Sequence, residues 1–289
     1  MKKFININLD YNIYLKISII YYIIIMNDII KQQQLNALSV GKDFLKNNDL
    51  KNPHLTQPIW TIINSTNKKT PITYSNAIKY KDNWSNDIVS HLQRILVNYQ
   101  LYQTKIGNPP IVFRIIKDIF DNITDNHLTL LDIGCTSGYY FEVINSIFPG
   151  KYTYTGCDYN KEALKLAKQY YPFPTFDYQD ITNLTYKDNQ FDIIFLSGVI
   201  EFVPDFKTAI NQLCRVSKKY IILHRIMLTD DETFCTKGTQ YFVDVIRYTY
   251  NKKKFLSIFK DNGFHLIWDT PRFYDGNCKS FILKKYNLL

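Results

Sequence analysis

The stretch LLDIGCTSGYY, residues 130–140, places one acid and two glycines directly after a short apolar run. Asp132 and Gly134 end this run, and Gly138 follows four residues later. Glycines let a backbone approach a ligand closely, and the free N–H groups at a helix N-terminus can bind an anion such as a carboxylate or a phosphate. The spacing therefore predicts a ligand-binding loop between a buried strand and a helix.

The sequence on either side predicts the elements that must position this loop. Residues 128–289 alternate between seven short apolar runs, typical of strands, and segments with the three- and four-residue spacing of amphipathic helices. This alternation predicts an α/β fold with a doubly wound, Rossmann-like, mostly parallel seven-stranded sheet. Ligands bind beyond the carboxyl ends of such strands, where Asp158, Asp180 and Ser197 end three further runs.

Residues 27–127 predict an N-terminal extension or cap before that domain. Residues 27–81 are polar and Asn-rich, which favours irregular structure or short helices, with Trp60 and Trp84 as packing anchors. A helix is then predicted over residues 85–104, where apolar side chains recur at helical spacing, and a second helix follows it.

Residues 1–26 form an apolar leader of uncertain status. The apolar run at residues 13–26 is shorter than the roughly 20 residues that span a bilayer and contains Lys16, so no transmembrane span is predicted. Two interpretations stay open: Met26 is the true start, so that residues 1–25 do not belong to the mature protein, or the run makes a peripheral membrane contact.

Composition constrains the partners only weakly. The formal charge of +9 is spread over scattered lysines rather than one stripe, so a nucleic-acid partner is not favoured. The five cysteines contain no CxxC pair and are odd in number, which argues against a disulfide framework or a metal site. This pattern predicts a cytoplasmic protein that binds no metal.

The glycine spacing separates two cofactor classes. A dinucleotide-binding GxGxxG motif requires glycine at positions that Thr136 and Tyr139 occupy here. The stretch instead resembles motif I of class I S-adenosylmethionine-dependent methyltransferases, an acid followed by xGxGxG. Only the middle glycine differs, and the family tolerates small residues there.

Three further segments resemble this family in the same order along the chain. Asp158 resembles the acid after the second strand, whose carboxylate accepts hydrogen bonds from both ribose hydroxyls. Asp180 resembles the acid that binds the adenine amino group, beside the backbone of Ile181, and FDIIFLSGVIEFV resembles the fourth-strand segment that lines the methionine half. The cofactor-binding residues that the resemblance implies are Asp132, Gly134, Cys135, Gly138, Asp158, Tyr159, Asp180, Ile181 and Ser197.

Methyl transfer from S-adenosylmethionine is an in-line displacement that needs mainly proximity and alignment, with a general base where the acceptor is a hydroxyl. His224, at the end of the fifth strand, and Glu201, after the fourth, are the two candidate catalytic residues. Each also has a structural interpretation, His224 as a hydrogen-bonded strand-end residue and Glu201 as a group that positions the loop or binds the methionine amino group. Phe202 stands where the family commonly has a histidine, which puts direct acid–base catalysis in doubt.

Arg225 is a candidate for binding an acidic group of the substrate. Tyr241, within the insertion at residues 227–251 that we expect to form a wall or lid, is a second candidate substrate-binding residue.

The leading hypothesis is methyl transfer to the oxygen or nitrogen of a small-molecule or sugar-containing acceptor. The later part of the chain, from ILHRIMLTDDE onward, resembles a bacterial subgroup that modifies small molecules or glycans. Two alternatives stay open, an RNA methyltransferase and a catalytically inactive binding or scaffold protein. The acceptor, the methylated atom and the oligomeric state are not predicted.

Overall fold

The computed structural model describes the backbone of residues 11–63, 69–270 and 278–286, and side chains from residue 28 onward within those ranges. The helices are α1 (Tyr11–Asn47), α2 (Thr56–Ile63), α3 (Tyr74–Ala77), α4 (Asp87–Lys105), α5 (Ile111–Asp121), α6 (Tyr139–Ile147), α7 (Lys161–Tyr170), α8 (Phe206–Val216) and α9 (Lys252–Asp261). The strands are β1 (Thr70–Ile72), β2 (Leu128–Ile133), β3 (Tyr152–Asp158), β4 (Thr175–Tyr178), β5 (Phe191–Ser197), β6 (Ser217–Thr229), β7 (Phe234–Gln240), β8 (Val243–Asn251), β9 (Phe264–Asp269) and β10 (Cys278–Lys285).

A mostly parallel sheet forms the centre of the fold. Strands β4, β3, β2, β5 and β6 lie side by side in that order and pair in parallel. β10 pairs antiparallel with β6 on one side and with β9 on the other. Apolar residues of α5, α6 and α7 pack on one face, and those of α8 and α9 on the other. The predicted α/β, doubly wound sheet is therefore confirmed.

Three strands extend the sheet beyond the predicted seven. The end of β6 pairs in parallel with β8 at Leu228 and Thr229, and β7 and β1 add to β8 by antiparallel pairing, which makes ten strands. The sequence predicted only a wall or lid at residues 227–251. The sequence of β7 is mostly polar because most of its side chains are only partly buried, so it lacks the apolar run that predicts a strand.

The N-terminal region is more helical than the sequence predicted. The expectation of irregular structure or short helices over residues 27–81 is wrong at its start, because α1 is a 37-residue helix. From residue 28 onward, where its side chains are described, the buried positions of this helix are Gln34, Ala37 and Gly41. A β-carbon at position 41 would lie 2.9 Å from Ile95 Cδ1 of α4. Small and polar residues let the two helices approach closely, but they produce no apolar period for a sequence pattern to detect.

The N-terminal layer packs against the added strands. Buried residues of α1, α2 and α4 form one apolar cluster with Tyr241, Val243 and Val245 of the hairpin between β7 and β8. The helix predicted over residues 85–104 is confirmed as α4, whose N-cap is Asn86, with its side chain accepting a hydrogen bond from the backbone N–H of Ile88 at 3.1 Å.

No helix within the described residues is long and apolar enough to cross a membrane. The peripheral membrane contact predicted for residues 13–26 depends on side chains that lie outside the described residues. All five cysteines are buried, and none forms a disulfide with another.

Candidate cofactor and acceptor site

A cavity of about 720 Å³ lies at the carboxyl ends of β2, β3, β5 and β6. Residues of α4, the Trp84 segment and β8 complete its wall. This volume is within the range of about 300–1,000 Å³ typical of small-molecule sites.

The backbone conformation of the loop after β2 requires glycine at two positions. Gly134 and Gly138 have φ values of +71° and +74°, in the left-handed region. A β-carbon at position 134 would lie 2.5 Å from Val199 Cγ2, and one at position 138 would lie 2.8 Å from Phe176 Cζ. The close packing of this loop therefore excludes any side chain at either glycine.

Thr136 takes the middle position of the loop with a φ of +49° and lines the cavity. Its backbone N–H donates a hydrogen bond to Asp158 Oδ2 at 2.9 Å, which ties the loop to the end of β3. Its Oγ1 is buried without a hydrogen-bond partner among the described residues. The threonine therefore preserves the loop geometry and adds a buried polar atom.

Asp158 is buried at the cavity wall with both oxygens hydrogen-bonded. Oδ1 accepts from the Asn160 backbone N–H at 2.8 Å, and Oδ2 accepts from Thr136. Burial raises the pKa of Asp158, while hydrogen bonds from backbone N–H groups act in the opposite direction. An ionised carboxylate oxygen can accept more than one hydrogen bond, so Asp158 keeps capacity for a ligand.

Asp180, Ile181 and Tyr159 also line the cavity. Asp180 Oδ1 accepts hydrogen bonds from the backbone N–H and the hydroxyl of Thr182, at 2.8 and 2.7 Å. These bonds fix the carboxylate and use only one of its two oxygens within the described part of the chain.

Asp132, Cys135 and Gly138 were predicted to bind the cofactor, but they lie behind the loop rather than on the cavity wall. Asp132 is 1% exposed, and its Oδ2 accepts a hydrogen bond from the Tyr154 hydroxyl at 2.5 Å. Burial raises the pKa of Asp132 to about 8, so this carboxyl group is largely protonated at neutral pH. In this arrangement the three residues support the loop from inside.

His224 is fully buried and does not line the cavity. Its Nε2 lies 3.0 Å from the backbone carbonyl oxygen of Val112, and its Nδ1 lies 2.8 Å from Ser280 Oγ. Because a carbonyl can only accept, Nε2 carries the proton and Nδ1 accepts from the serine hydroxyl. Burial, with a contribution from nearby Arg225, lowers the pKa of His224 to about 3. This is the placement of a neutral structural residue, and it does not support the predicted role as a general base.

Glu201 lies in the turn after β5, where it is buried and lines the cavity. Its Oε2 has no hydrogen-bond partner among the described residues. Burial raises the pKa of Glu201, and the positive charges of Arg247 and Arg225 partly oppose this shift. A β-carbon at position 198 would lie 3.4 Å from Arg225 Cζ and 3.6 Å from Glu201 Oε1, so Gly198 leaves space between the two charged groups.

Aromatic side chains close the cavity on the side of the N-terminal layer. Trp84 packs edge-on against Phe202 and Tyr241, with ring centroids 4.9 and 6.1 Å apart, and Trp60 lies 5.6 Å from Tyr241. Both tryptophans are therefore packing anchors, as predicted. Tyr241 is buried within this wall and also lines the cavity.

Residues 131–222 match a family model described as "Methyltransferase domain". Among curated proteins, the malonyl-[acyl-carrier protein] O-methyltransferase of Buchnera aphidicola subsp. Baizongia pistaciae is 27% identical over 158 residues, which cover 50% of this chain. The chain spans 59% of that relative's length, less than two thirds.

Residues 131–222 are therefore similar to a methyltransferase domain, and they contain most of the parallel strands that end at the cavity.

A solved methyltransferase structure has a similar fold. The 1,6-didemethyltoxoflavin-N1-methyltransferase of Burkholderia thailandensis, with bound 1,6-didemethyltoxoflavin and S-adenosylhomocysteine, is similar with a TM-score of 0.52 at 12% identity. The similarity covers 78% of this chain and 95% of that enzyme. A methyltransferase from Methanosarcina mazei has a TM-score of 0.48 at 21% identity, over 58% of this chain and 96% of that one.

The cavity has polar atoms that suit S-adenosylmethionine, the cofactor that the sequence resemblance implies. Thr136 Oγ1, Glu201 Oε2 and Trp84 Nε1 are buried on the cavity wall without partners among the described residues. Buried polar groups in native proteins nearly always have a hydrogen-bond partner. A ligand with donors and acceptors, such as this cofactor, can provide them.

Sequence reasoning missed three residues that line the cavity. Tyr140, whose hydroxyl lies 2.7 Å from Ser197 Oγ, was interpreted only as part of a helix, although it directly follows the motif. Trp84 was interpreted only as a packing anchor. Arg247 had no signal at all, because it is one cation in a β-strand that the sequence did not predict.

Proposed function

We propose that the protein transfers the methyl group of S-adenosylmethionine to an oxygen or nitrogen atom of a small-molecule or sugar-containing acceptor. One observation carries this proposal: Asp158 and Asp180 open into the same cavity as Glu201, Arg225 and Arg247. The residues that we assign to the cofactor and those that we assign to the acceptor therefore line the same cavity. The relative from Buchnera aphidicola is an O-methyltransferase, which supports oxygen as one acceptor atom.

In this proposal the wall beyond β3 and β4 holds the adenosine half of the cofactor. Asp158 accepts hydrogen bonds from the ribose hydroxyls, because a carboxylate can accept two hydroxyl donors at once. Asp180 accepts from the adenine amino group through the oxygen that Thr182 leaves available, and Ile181 packs against the ring.

The loop after β2 and the end of β5 hold the methionine half. Thr136 Oγ1 and Ser197 Oγ provide hydroxyl groups there, and Tyr140 fixes the orientation of Ser197. When bound, S-adenosylmethionine would supply a methyl group on a cationic sulfur. The acceptor oxygen or nitrogen would bond to the methyl carbon in line with the carbon–sulfur bond, which breaks and leaves S-adenosylhomocysteine.

Glu201 is the group that we assign to proton transfer in place of His224. Its raised pKa makes it a better base than an ordinary exposed glutamate, and its Oε2 is available to accept the proton that an acceptor O–H or N–H releases. The aromatic wall around Trp84 limits the access of water to this reaction.

The Glu201→Gln variant tests this assignment. We expect the rate of methyl transfer from radiolabelled S-adenosylmethionine to fall about 100-fold or more, which is the usual contribution of a general base, while the Kd for S-adenosylhomocysteine changes little. Acceptors are screened as a panel of hydroxyl- and amino-bearing small molecules, including sugars.

The alternative role for Glu201, binding the methionine amino group, gives a different result. In that case the variant loses affinity for S-adenosylhomocysteine as strongly as it loses activity. If the wild-type protein binds S-adenosylhomocysteine and labels no acceptor class, the proposed transfer reaction is contradicted.

A further inference from the structure

Trp84 places an unused hydrogen-bond donor on the cavity wall. The residue lies in the short 3-10 turn Asn83–Ser85 before α4, and it lines the cavity. Its indole Nε1 is buried and has no hydrogen-bond partner among the described residues. An indole N–H can only donate, and buried polar groups in native proteins nearly always have a partner. This donor is therefore suited to a ligand atom that has a lone pair.

Contacts on two sides fix the position of this indole. The Asn160 side chain donates a hydrogen bond from Nδ2 to the Trp84 carbonyl oxygen at 2.8 Å. The ring packs edge-on against Phe202, with centroids 4.9 Å apart. Phe202 directly follows Glu201 in the turn after β5. The contact with Phe202 therefore places the indole beside the turn that carries Glu201.

Glu201 provides the complementary atom. Its Oε2 is also buried on the cavity wall without a partner among the described residues. As a carboxylate oxygen this atom can only accept a hydrogen bond, whereas Trp84 Nε1 can only donate one. The wall around Phe202 therefore offers one donor and one acceptor to a ligand.

A hydroxyl group can satisfy both atoms and still react. Its hydrogen donates to Glu201, and one of the two lone pairs on its oxygen accepts from Trp84. The second lone pair stays available for attack on a methyl carbon. A neutral amine nitrogen has a single lone pair, which the indole N–H would occupy, so the same arrangement hinders attack by nitrogen.

We propose that Trp84 and Glu201 together bind a hydroxyl group of the acceptor and select oxygen, rather than nitrogen, as the methylated atom. This inference rests on the proposed function and narrows it to one acceptor atom. The hydroxyl oxygen bonds to the methyl carbon as the carbon–sulfur bond breaks, and the electron pair of that bond stays on the sulfur of S-adenosylhomocysteine. The hydroxyl proton passes to Glu201, while Trp84 holds the oxygen in line. The rival interpretation is that the Trp84 indole donates to the cofactor itself.

The indole N–H signal of Trp84 in a nitrogen–proton correlation spectrum tests this contact directly. The chain contains 3 tryptophans, so few indole signals need to be assigned, and Trp84→Phe identifies the relevant one. Phenol, aniline and toluene, which have nearly the same shape, are titrated into the full-length protein saturated with S-adenosylhomocysteine. We expect phenol to shift the proton of this indole downfield and to bind about tenfold more tightly than toluene, with aniline between them.

Trp84→Phe keeps an aromatic ring against Phe202 but removes the donor. It should weaken phenol binding by about threefold or more and leave the Kd for S-adenosylhomocysteine within about twofold of the wild-type value. Trp268→Phe, the same substitution on β9 and outside the cavity wall, is the matched control and should change neither affinity. If Trp84→Phe folds poorly, Trp60→Phe and Trp268→Phe assign the signal by elimination, and the titration of the wild type is the test.

A Trp84 indole signal that stays in place while phenol binds, or no binding of phenol, overturns the inference while the proposed function stands. Methyl transfer that labels amines and no hydroxyl group in the acceptor panel has the same consequence. A loss of S-adenosylhomocysteine affinity of about tenfold or more in Trp84→Phe also overturns it, in favour of a contact with the cofactor. Failure of the wild-type protein to bind S-adenosylhomocysteine is a separate result that contradicts the proposed function itself.

Discussion

Replacing His224 with glutamine should make the folding stability of this protein less sensitive to acid. The histidine is fully buried between Val112 and Ser280, and its folded-state pKa is about 3. In the unfolded chain its pKa returns to about 6.5. Between pH 6.5 and pH 3 the unfolded chain therefore binds a proton that the folded chain does not, and acid lowers the free energy of unfolding.

The size of this effect follows from the two pKa values. Lowering the pH from about 7 to about 5 stabilises the unfolded state through His224 by about 2 kcal/mol. Glutamine has no such titration and can still hydrogen-bond to its neighbours. The wild-type protein should therefore lose about 2 kcal/mol more than His224→Gln over this interval.

Urea unfolding at pH 7, 6 and 5 measures the difference. Over the same interval acid raises the free energy of unfolding through Asp132, which is opposite to the effect of His224. Because Asp132 is present in both proteins, its contribution cancels in the comparison. His54→Gln, at an exposed histidine, is the control and should follow the wild type. The same pH dependence in His224→Gln and wild type refutes the argument, as does a stable variant that has lost only its methyl-transfer rate.

Two further predictions concern the loop after β2. The wild-type protein should lose about 2–3 kcal/mol of stability between pH 5 and pH 7 through Asp132, because its folded-state pKa of about 8 lies above the unfolded value and only the unfolded chain gives up the proton. Asp132→Asn should remove this loss in urea unfolding at the two pH values, and an unchanged slope speaks against a buried neutral carboxyl. Gly134→Ala should lower stability by more than Gly150→Ala, since both have positive φ values but only position 134 meets a side chain, at 2.5 Å. We expect about 1 kcal/mol for the control and at least about twice that at position 134, and equal thermal unfolding of the two variants contradicts the packing argument.

The sequence was most informative about the sheet and the loop after β2. Gly134 and Gly138 mark the end of a strand and the start of a helix because a left-handed backbone and close packing leave no alternative to glycine there. The continuous apolar runs of β5 and β6 identify buried parallel strands for the same kind of reason, since both faces of those strands are covered.

Helix α1, the role of His224 and the position of Arg247 could not be predicted, because each depends on contacts between residues far apart in the sequence. Helix α1 buries Gln34 and Gly41 rather than a row of leucines, so its period is weak. Whether His224 is a base or a structural residue depends on Val112 and Ser280, which are 112 and 56 residues away in the sequence. Arg247 belongs to the site only because β8 pairs with the end of β6.

The most direct test of the central claim is calorimetric titration of the full-length protein with S-adenosylmethionine, S-adenosylhomocysteine and NAD. The account predicts micromolar binding of the first two and none of NAD, because the loop lacks the dinucleotide glycine spacing. Asp158→Ala should weaken binding by about tenfold or more, whereas Asp261→Ala, at an exposed acid on α9, should not change it. Undiminished binding by a folded Asp158→Ala variant, or no binding of S-adenosylmethionine by the wild type, would contradict the account.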